Sequence, residues 1–425
     1  MYVEERKYGP KIKGIEAIHL PNVQLLESNG AIPVYYLEGG AEQIARLECV
    51  FPAGRKYEEK RAVAALCSSL IQEGTQSKSA EEVAELLDFY GFRFRCRNDL
   101  DYAYVSISCL SKYFDKAMEL FFEIIRYPAF GKKELQVAQT TASDNLKIQL
   151  RHNEFVAYRL ATEAIFGDTH KYGYNTESAD FLSVGNDDLR TFYIENFKLE
   201  NALVILSGHV TNQQIAALLK ELPMRSLPKI KPKIGNAKVE FNGGETIEKK
   251  IENSFQTAIK IAKRTFPRGH KDFEGLYILI SILGGYFGSR LMQSIREKHG
   301  YSYNVYASLE LLEEDGYINI STDVGSEYTQ DALAAIFLEL ELLKKELVPE
   351  EELKMVKSYL LGKVLREIDG PFNSAATLRS LLVTGGKLQD LPGFVDKIRS
   401  ITAHELQDLA KRYFDKKSFT TVIVS

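Results

Sequence analysis

The feature that most constrains this chain is a long-range repeat, because it requires a fold that divides into two similar halves. Residues 183–208 read "SVGNDDLRTFYIENFKLENALVILSG", and residues 400–425 read "SITAHELQDLAKRYFDKKSFTTVIVS". In both, a serine (Ser183, Ser400) precedes a leucine (Leu189, Leu406) and then a phenylalanine (Phe197, Phe414) at the same spacing, and a β-rich run closes the segment. Each copy predicts a helix opened by acidic residues (Asp187 and Asp188; Glu405), which suit the positive end of a helix, followed by a short loop and a buried strand. A second pair lies upstream of the first. "YGFRFRCRNDLDYAYVSISCL" (90–110) and "HGYSYNVYASLELLEEDGYINISTDV" (299–324) both alternate with a period of two, as antiparallel strand pairs do. Helical segments follow them at 113–128 and 328–346, apolar at i, i+3 and i+4.

Between the copies, "LPMRSLPKIKPKIG" (222–235) sets three prolines among basic residues and reads as an extended linker. The chain therefore predicts an α+β protein of two homologous domains, residues 1–222 and 236–425, each an antiparallel-rich sheet flanked by helices, joined by a linker over 223–235. Its 425 residues are too many for one core, which agrees. A two-fold repeat also creates a cleft between the halves, the usual place for a site.

Composition bounds the function classes. A net charge of −4 supplies no bulk attraction to nucleic acid or acidic lipid. No apolar run approaches the roughly 18 residues of a membrane span, and the start, "MYVEERKYGPKIKG", lacks a signal-peptide core. The four cysteines (Cys49, Cys67, Cys96, Cys109) show no Cys-x-x-Cys spacing and read as reduced thiols, so a cytoplasmic location is expected.

The most informative string is "FGSRLMQSIREKHGYSYNVYASLE" (287–310). Ser289 to His299 predicts a helix with Leu291, Met292 and Ile295 on one face, Gly300 a left-handed C-cap, and the segment after it a strand. Read locally, Arg296 caps helix carbonyls and Tyr303 is a half-buried strand aromatic. The string also strongly resembles the M16 (pitrilysin-type) metallopeptidases, which include insulin-degrading enzyme and the mitochondrial processing peptidase subunits. The resemblance extends over nearly the whole chain: duplicated domains, linker and both domain ends. It implies repeats closed around a peptide-holding chamber, with an arginine and a tyrosine of the second domain, here Arg296 and Tyr303, presented to the substrate.

Active members of that family carry His-x-x-Glu-His on a first-domain helix, in a context like "GVAHFLEHMLFKGT". The matching stretch here is "AVAALCSSLIQEGT" (62–75), a small apolar helix expected to stop at Gly74, with Ala65 and Ser69 at the histidine positions and Ser68 at the glutamate. Two imidazoles at i and i+4 share a helix face and grip zinc, while the carboxylate takes a proton from bound water. A methyl group has no lone pair, and neutral hydroxyls are poor zinc ligands and poor general bases. The third ligand would be a glutamate in a later helix, where "VAQTTASDNLKIQL" (137–150) offers Asp144 and Asn145. The expectation is no metal on this chain and no cofactor beyond zinc on a partner. The seven histidines form no His-x-x-His or His-x-x-x-His, and His152 with Glu154 reads as solvated.

The resemblance then implies a non-catalytic, peptide-binding subunit of a two-chain zinc peptidase, whose partner is a homologous zinc-bearing M16 subunit. A homodimer of the isolated chain would not contradict this. The alternative is a peptide-binding or scaffold protein with no role in hydrolysis, holding peptides as an added strand on a sheet edge. A third reading, residual activity through a metal at Asp144 or Cys67, requires ligands this pattern does not supply.

Overall fold

In the computed structural model, which describes residues 15, 18, 21–27, 32–223, 244–252, 256–267, 269–387 and 390–425, the two halves repeat the same order of elements. The first sheet uses β1 (Gln24–Leu26), β2 (Val34–Glu38), β3 (Ile44–Phe51), β4 (Arg93–Asn98), β5 (Ala103–Leu110) and β6 (Leu203–Gly208), in the order β1-β2-β6-β3-β5-β4. The second uses β7 (Thr246–Lys249), β8 (Gln256–Arg264), β9 (Val305–Leu311), β10 (Gly316–Gly325) and β11 (Thr420–Val424), in the order β7-β11-β8-β10-β9. One pair in each sheet is parallel, β2 with β6 and β7 with β11; all other pairs are antiparallel. Apart from Pro223, the linker at 223–235 lies outside the described residues.

The repeat read from sequence is realised element by element. The helices Asn186–Asn196 and Ala403–Tyr413 lead into β6 and β11. At the two helix starts the free donors are met differently: Asp188 accepts the Gly185 N–H at 2.7 Å, while the Glu405 N–H donates to Thr402 Oγ1 at 3.2 Å and the Glu405 carboxylate pairs with Lys397. The strand pairs β4/β5 and β9/β10 are followed by the helices Phe114–Arg126 and Thr329–Lys345. Gly91 and Gly300 close the segments before those pairs in the same left-handed conformation, φ 66° and 67°, where a side chain would be strained.

Period-two alternation sends one face of each sheet into a core under its own helices. In the first sheet that face is Leu47, Cys49, Phe51, Phe94, Val105 and Ile107, packed on Leu66, Phe114 and Phe121. In the second it is Ile259, Ile261, Val305, Ile318 and Ile320, packed on Leu279, Ile282 and Ile336. The opposite faces are covered in part by exchange. The helix Asn153–Phe166, from the first half, lays Val156, Ala157, Ala161 and Ile165 on Ala258, Ala262, Val422 and Val424 of the second sheet. The helix Gly370–Val383, from the second half, lays Ala375 and Leu378 on Leu37 and Ile205 of the first.

A charged pair pins each exchange. Glu48 on β3 is 4% exposed and accepts from Arg379 Nη1 of the helix Gly370–Val383 at 2.6 Å. Lys260 on β8 is 3% exposed, donates to Ser321 Oγ at 2.8 Å, and faces Glu154 of the helix Asn153–Phe166 at 3.7 Å. Glu48 lies opposite Ile205 in its sheet and Lys260 opposite Val422 in the other. Ile205 and Val422 are the same distance apart in the chain as Phe197 and Phe414. The two charges therefore occupy the same place in the repeat, with opposite sign.

A third polar contact joins the halves. Lys56, its side chain 2% exposed, lies 3.6 Å from Asp101 and from Glu314 and bonds to Glu313 in the β9–β10 turn. Tyr172 donates to Asp101 at 2.6 Å, and Tyr102 donates to the Val383 carbonyl at 2.7 Å.

Removing one member of a buried pair strands the other in a poorly solvated place. Arg379→Ala is expected to cost about 3 kcal/mol of stability, read as a lowered denaturation midpoint, with Arg379→Lys costing less. A change of under about 0.5 kcal/mol, the size of an ordinary surface substitution, would show that the exchanged helix is held by its apolar contacts alone.

Candidate functional site

The helix that matches the family's metal motif is short. It spans Val63–Leu70, ending four residues before Gly74, where sequence placed the stop. Gly74 instead makes a separate turn, φ 92°, pressed against the Lys78 carbonyl and the Ala80 nitrogen. The helix start is held from below by Glu58, 2% exposed, whose carboxylate accepts the N–H groups of Ala62 at 3.3 Å and Ala64 at 3.0 Å and the Tyr174 hydroxyl. Burial pushes the Glu58 carboxyl up, and those three hydrogen bonds pull it back. Arg55 and Arg61 stack on Tyr174 at 4.4 and 4.7 Å.

Ala65 and Ser69 share the exposed face of this helix, one turn apart, as the i, i+4 spacing requires. Their chemistry does not suit a zinc ion. Ala65 presents a methyl group, and Ser69 Oγ donates to the Leu66 carbonyl at 2.9 Å, closing back on its own helix. Ser68 points the other way. It is 3% exposed, and its Oγ has no regular hydrogen-bond partner beside the Cys96 thiol. Cys67 is fully buried and burial holds its thiol well above the usual range, far from the thiolate a metal needs. Asp144 lies on the helix Lys132–Gln149, exposed, and pairs with Lys147 at 2.8 Å. Among the described residues no three His, Cys, Asp or Glu side chains gather as a metal-binding group.

The second-domain pair has a different character. The segment predicted as an α-helix is a wider π-helix over Met292–Lys298, with Leu291, Met292 and Ile295 buried as expected. It ends at Gly300, whose N–H donates to the Arg296 carbonyl at 3.2 Å, while the Tyr301 N–H reaches the Ile295 carbonyl at 3.0 Å. Arg296 caps no carbonyl with its side chain. It stacks over the exposed Phe287 ring at 4.7 Å and makes no ion pair among the described residues. Tyr303 precedes β9 rather than lying in it, and is 88% exposed rather than half-buried. Among the described residues no hydrogen bond or ring contact joins the two, nor ties either to the helix Val63–Leu70.

His152 is the exposed N-cap residue of the helix Asn153–Phe166, and Glu154 is exposed but partners Lys260. Both line an interdomain cavity of about 870 Å³ that also receives Tyr306 and Asp323. Burial and the neighbouring Glu154 push the Asp323 carboxyl up. A cleft between the halves was expected from the repeat, but these lining residues were not foreseen, since they come from both halves. Nor was a row of exposed arginines, Arg93, Arg95 and Arg97, on the edge strand β4, although their alternation is plain in "RFRCR".

Because the Tyr303 side chain is exposed and Arg296 stacks only on an exposed ring, Arg296→Ala and Tyr303→Ala are expected to shift stability by no more than about 0.5 kcal/mol, checked by denaturation. A loss of 2 kcal/mol or more, of the size seen for core truncation, would mark them as structural.

Comparison with known proteins places this geometry. Residues 36–172 match the family model described as insulinase (peptidase family M16), and residues 183–360 match the one described as the peptidase M16 inactive domain. An uncharacterized zinc protease, YmxG, of Bacillus subtilis is 22% identical over 85% of this chain and 88% of its own. A protein of Helicobacter pylori named non-peptidase homolog YmxG is 22% identical over 97% of this chain and 95% of its own. The crystal structure of a peptidase M16 inactive domain from Pseudomonas fluorescens shares the fold with a TM-score of 0.83 at 21% identity, over 95% of this chain and 98% of that one. A crystal structure of a protease from Helicobacter pylori gives 0.85 at 18% identity, over 96% and 100%. With both of its halves matched and its fold shared along nearly the whole length, this chain belongs to the M16 peptidase family.

Proposed function

We propose that this chain is the non-catalytic, peptide-holding subunit of a two-chain M16 peptidase, and that the zinc is carried by a homologous partner. What carries this reading is a contrast between two faces. On the helix Val63–Leu70, the positions a metal centre would use hold a methyl group and a hydroxyl already bonded to its own helix. On the second domain, Arg296 stands in the last turn of the π-helix and Tyr303 two residues before β9, and they spend their donors on no ion pair or hydrogen bond among the described residues. The name non-peptidase homolog, borne by one relative, is in keeping with it.

In this function the chain's own residues bind and orient. A peptide carbonyl accepts hydrogen bonds well from a guanidinium and a phenol, and both donors gain strength as negative charge builds on that oxygen. Phe287 beneath the Arg296 guanidinium limits its freedom, so less is lost when the substrate is gripped. Water activation and proton transfer fall to the partner, because Ala65, Ser68 and Ser69 offer no base.

Mixing the purified chain with a zinc-bearing M16 homologue is expected to raise peptide cleavage well above either protein alone. Arg296→Ala is expected to remove about 3 kcal/mol of transition-state stabilisation, a 10²- to 10³-fold fall in kcat, with Tyr303→Phe in the same direction. No gain on mixing would contradict the reading.

A further inference from the structure

The outer face of the first sheet is only partly covered by the exchanged helix. Gly370–Val383 packs on β2 and β6, and its Arg379 reaches β3. Toward β5 and β4 the face lies open. There the alternation of β4 sends Phe94 and Cys96 to the core and leaves Arg93, Arg95 and Arg97 exposed on the outer side. Across the sheet they stand opposite Ser108, Ser106 and Tyr104 of β5, and behind these lie Arg46, Glu48 and Val50 of β3. Arg46 Nε donates to Ser108 Oγ at 2.9 Å and stacks over Phe372 at 5.0 Å. The Tyr104 ring faces two guanidinium groups, Arg97 at 5.0 Å and Arg379 at 5.2 Å, while its hydroxyl donates to Asp99 at 2.7 Å.

Five arginines thus gather on one face of a chain whose net charge is −4. Of the nearby carboxylates, Glu48 is taken by Arg379 and Asp99 by Tyr104. Arg93, Arg95 and Arg97 make no ion pair among the described residues. Burial, and then the nearby Arg379, Arg95 and Arg93, weaken the hold of Arg46 on its proton, while Glu48 acts the other way. Among the described residues β4 is also the edge of its sheet, with no strand on its far side, and it packs beside the helix Val63–Leu70. A strand added there would lie about 4.8 Å away. Every second side chain would then stand over the outer face as the cross-strand neighbour of an arginine.

We propose that the peptide this subunit holds is acidic, bound in extended form along β4 with carboxylates at alternate positions opposite Arg93, Arg95 and Arg97. The inference rests on the peptide-holding reading and adds the charge of the substrate. Edge charges also deter strand-to-strand aggregation, but either sign serves that purpose. Edge protection gives no reason to place Arg46 behind the row, whereas Arg379 stands there to meet Glu48.

The test is direct binding to the full chain by fluorescence anisotropy. The probes are labelled nine-residue peptides of one β-prone sequence with Glu, Gln or Lys at three alternate positions. The Glu peptide should bind about tenfold more tightly than the Gln peptide, the sum of three favourable cross-strand pairs, with the advantage shrinking as salt is raised. Arg93→Glu, Arg95→Glu and Arg97→Glu together should transfer the preference to the Lys peptide, a gain that only a folded variant can show. The same three positions as Lys should keep the preference for Glu. Equal binding of all three peptides, no binding of any, or an unchanged preference in the triple reversal would overturn the proposal. The outcomes separate from those for the function. Binding of the Glu peptide without stimulation of a zinc-bearing homologue would contradict the subunit role and leave this site standing. Stimulation without charge preference would do the reverse.

Discussion

Each sheet in this molecule has part of its second face buried by a helix that belongs to the other half. That exchange turns two similar α+β units into one body, since neither outer face could meet water without exposing the aliphatic surface of residues such as Ile205 or Val422. The charged pairs at its centre, Glu48 with Arg379 and Lys260 with Glu154, add specificity. An unpaired charge so deeply placed would be costly, so each helix has one seating in which the central charge of the opposing strand is met. With the halves fixed in this way, the helix Val63–Leu70 and the Arg296–Tyr303 segment keep constant positions in the molecule.

On that frame the two segments differ in character. The helix Val63–Leu70 is held by the buried Glu58, which accepts its leading N–H groups, and its exposed face carries a methyl group and a hydroxyl bonded back to the helix. The second segment presents an exposed phenol and a guanidinium stacked on Phe287. This contrast is what supports the proposed role of a subunit that holds rather than cuts. The arginine face of β4 would extend that role from orientation to selection.

Much of the fold was legible in the sequence because its signals are local. The left-handed cap at Gly300 and the strand pairs in 90–110 and 299–324 are signals that act over a few residues each, and they hold. The helix exchange was not legible, since Val156 or Ala375 facing a distant sheet looks the same in sequence as one facing its own. The π-helix over Met292–Lys298 was missed for a related reason: an i to i+5 ladder uses the same apolar residues as an α-helix and differs only in how they pack. Tyr303 was misplaced because strand propensity near Val305 extends no further back than the turn allows. In the site, residue identity alone showed that Ala65, Ser68 and Ser69 are poor metal ligands, whereas the stacking of Arg296 on Phe287 and the crowd of arginines around Tyr104 are properties of tertiary structure.

The central claim is that Tyr303 touches the peptide where the partner cuts it. Replacing Tyr303 with the photoreactive amino acid benzoylphenylalanine, in a mixture with a zinc-bearing homologue and a non-cleavable peptide, tests this directly. The account predicts cross-linking to the peptide within one or two residues of the bond that is cut. Cross-links confined to solvent-exposed protein surface, or to a part of the peptide remote from that bond, would contradict it.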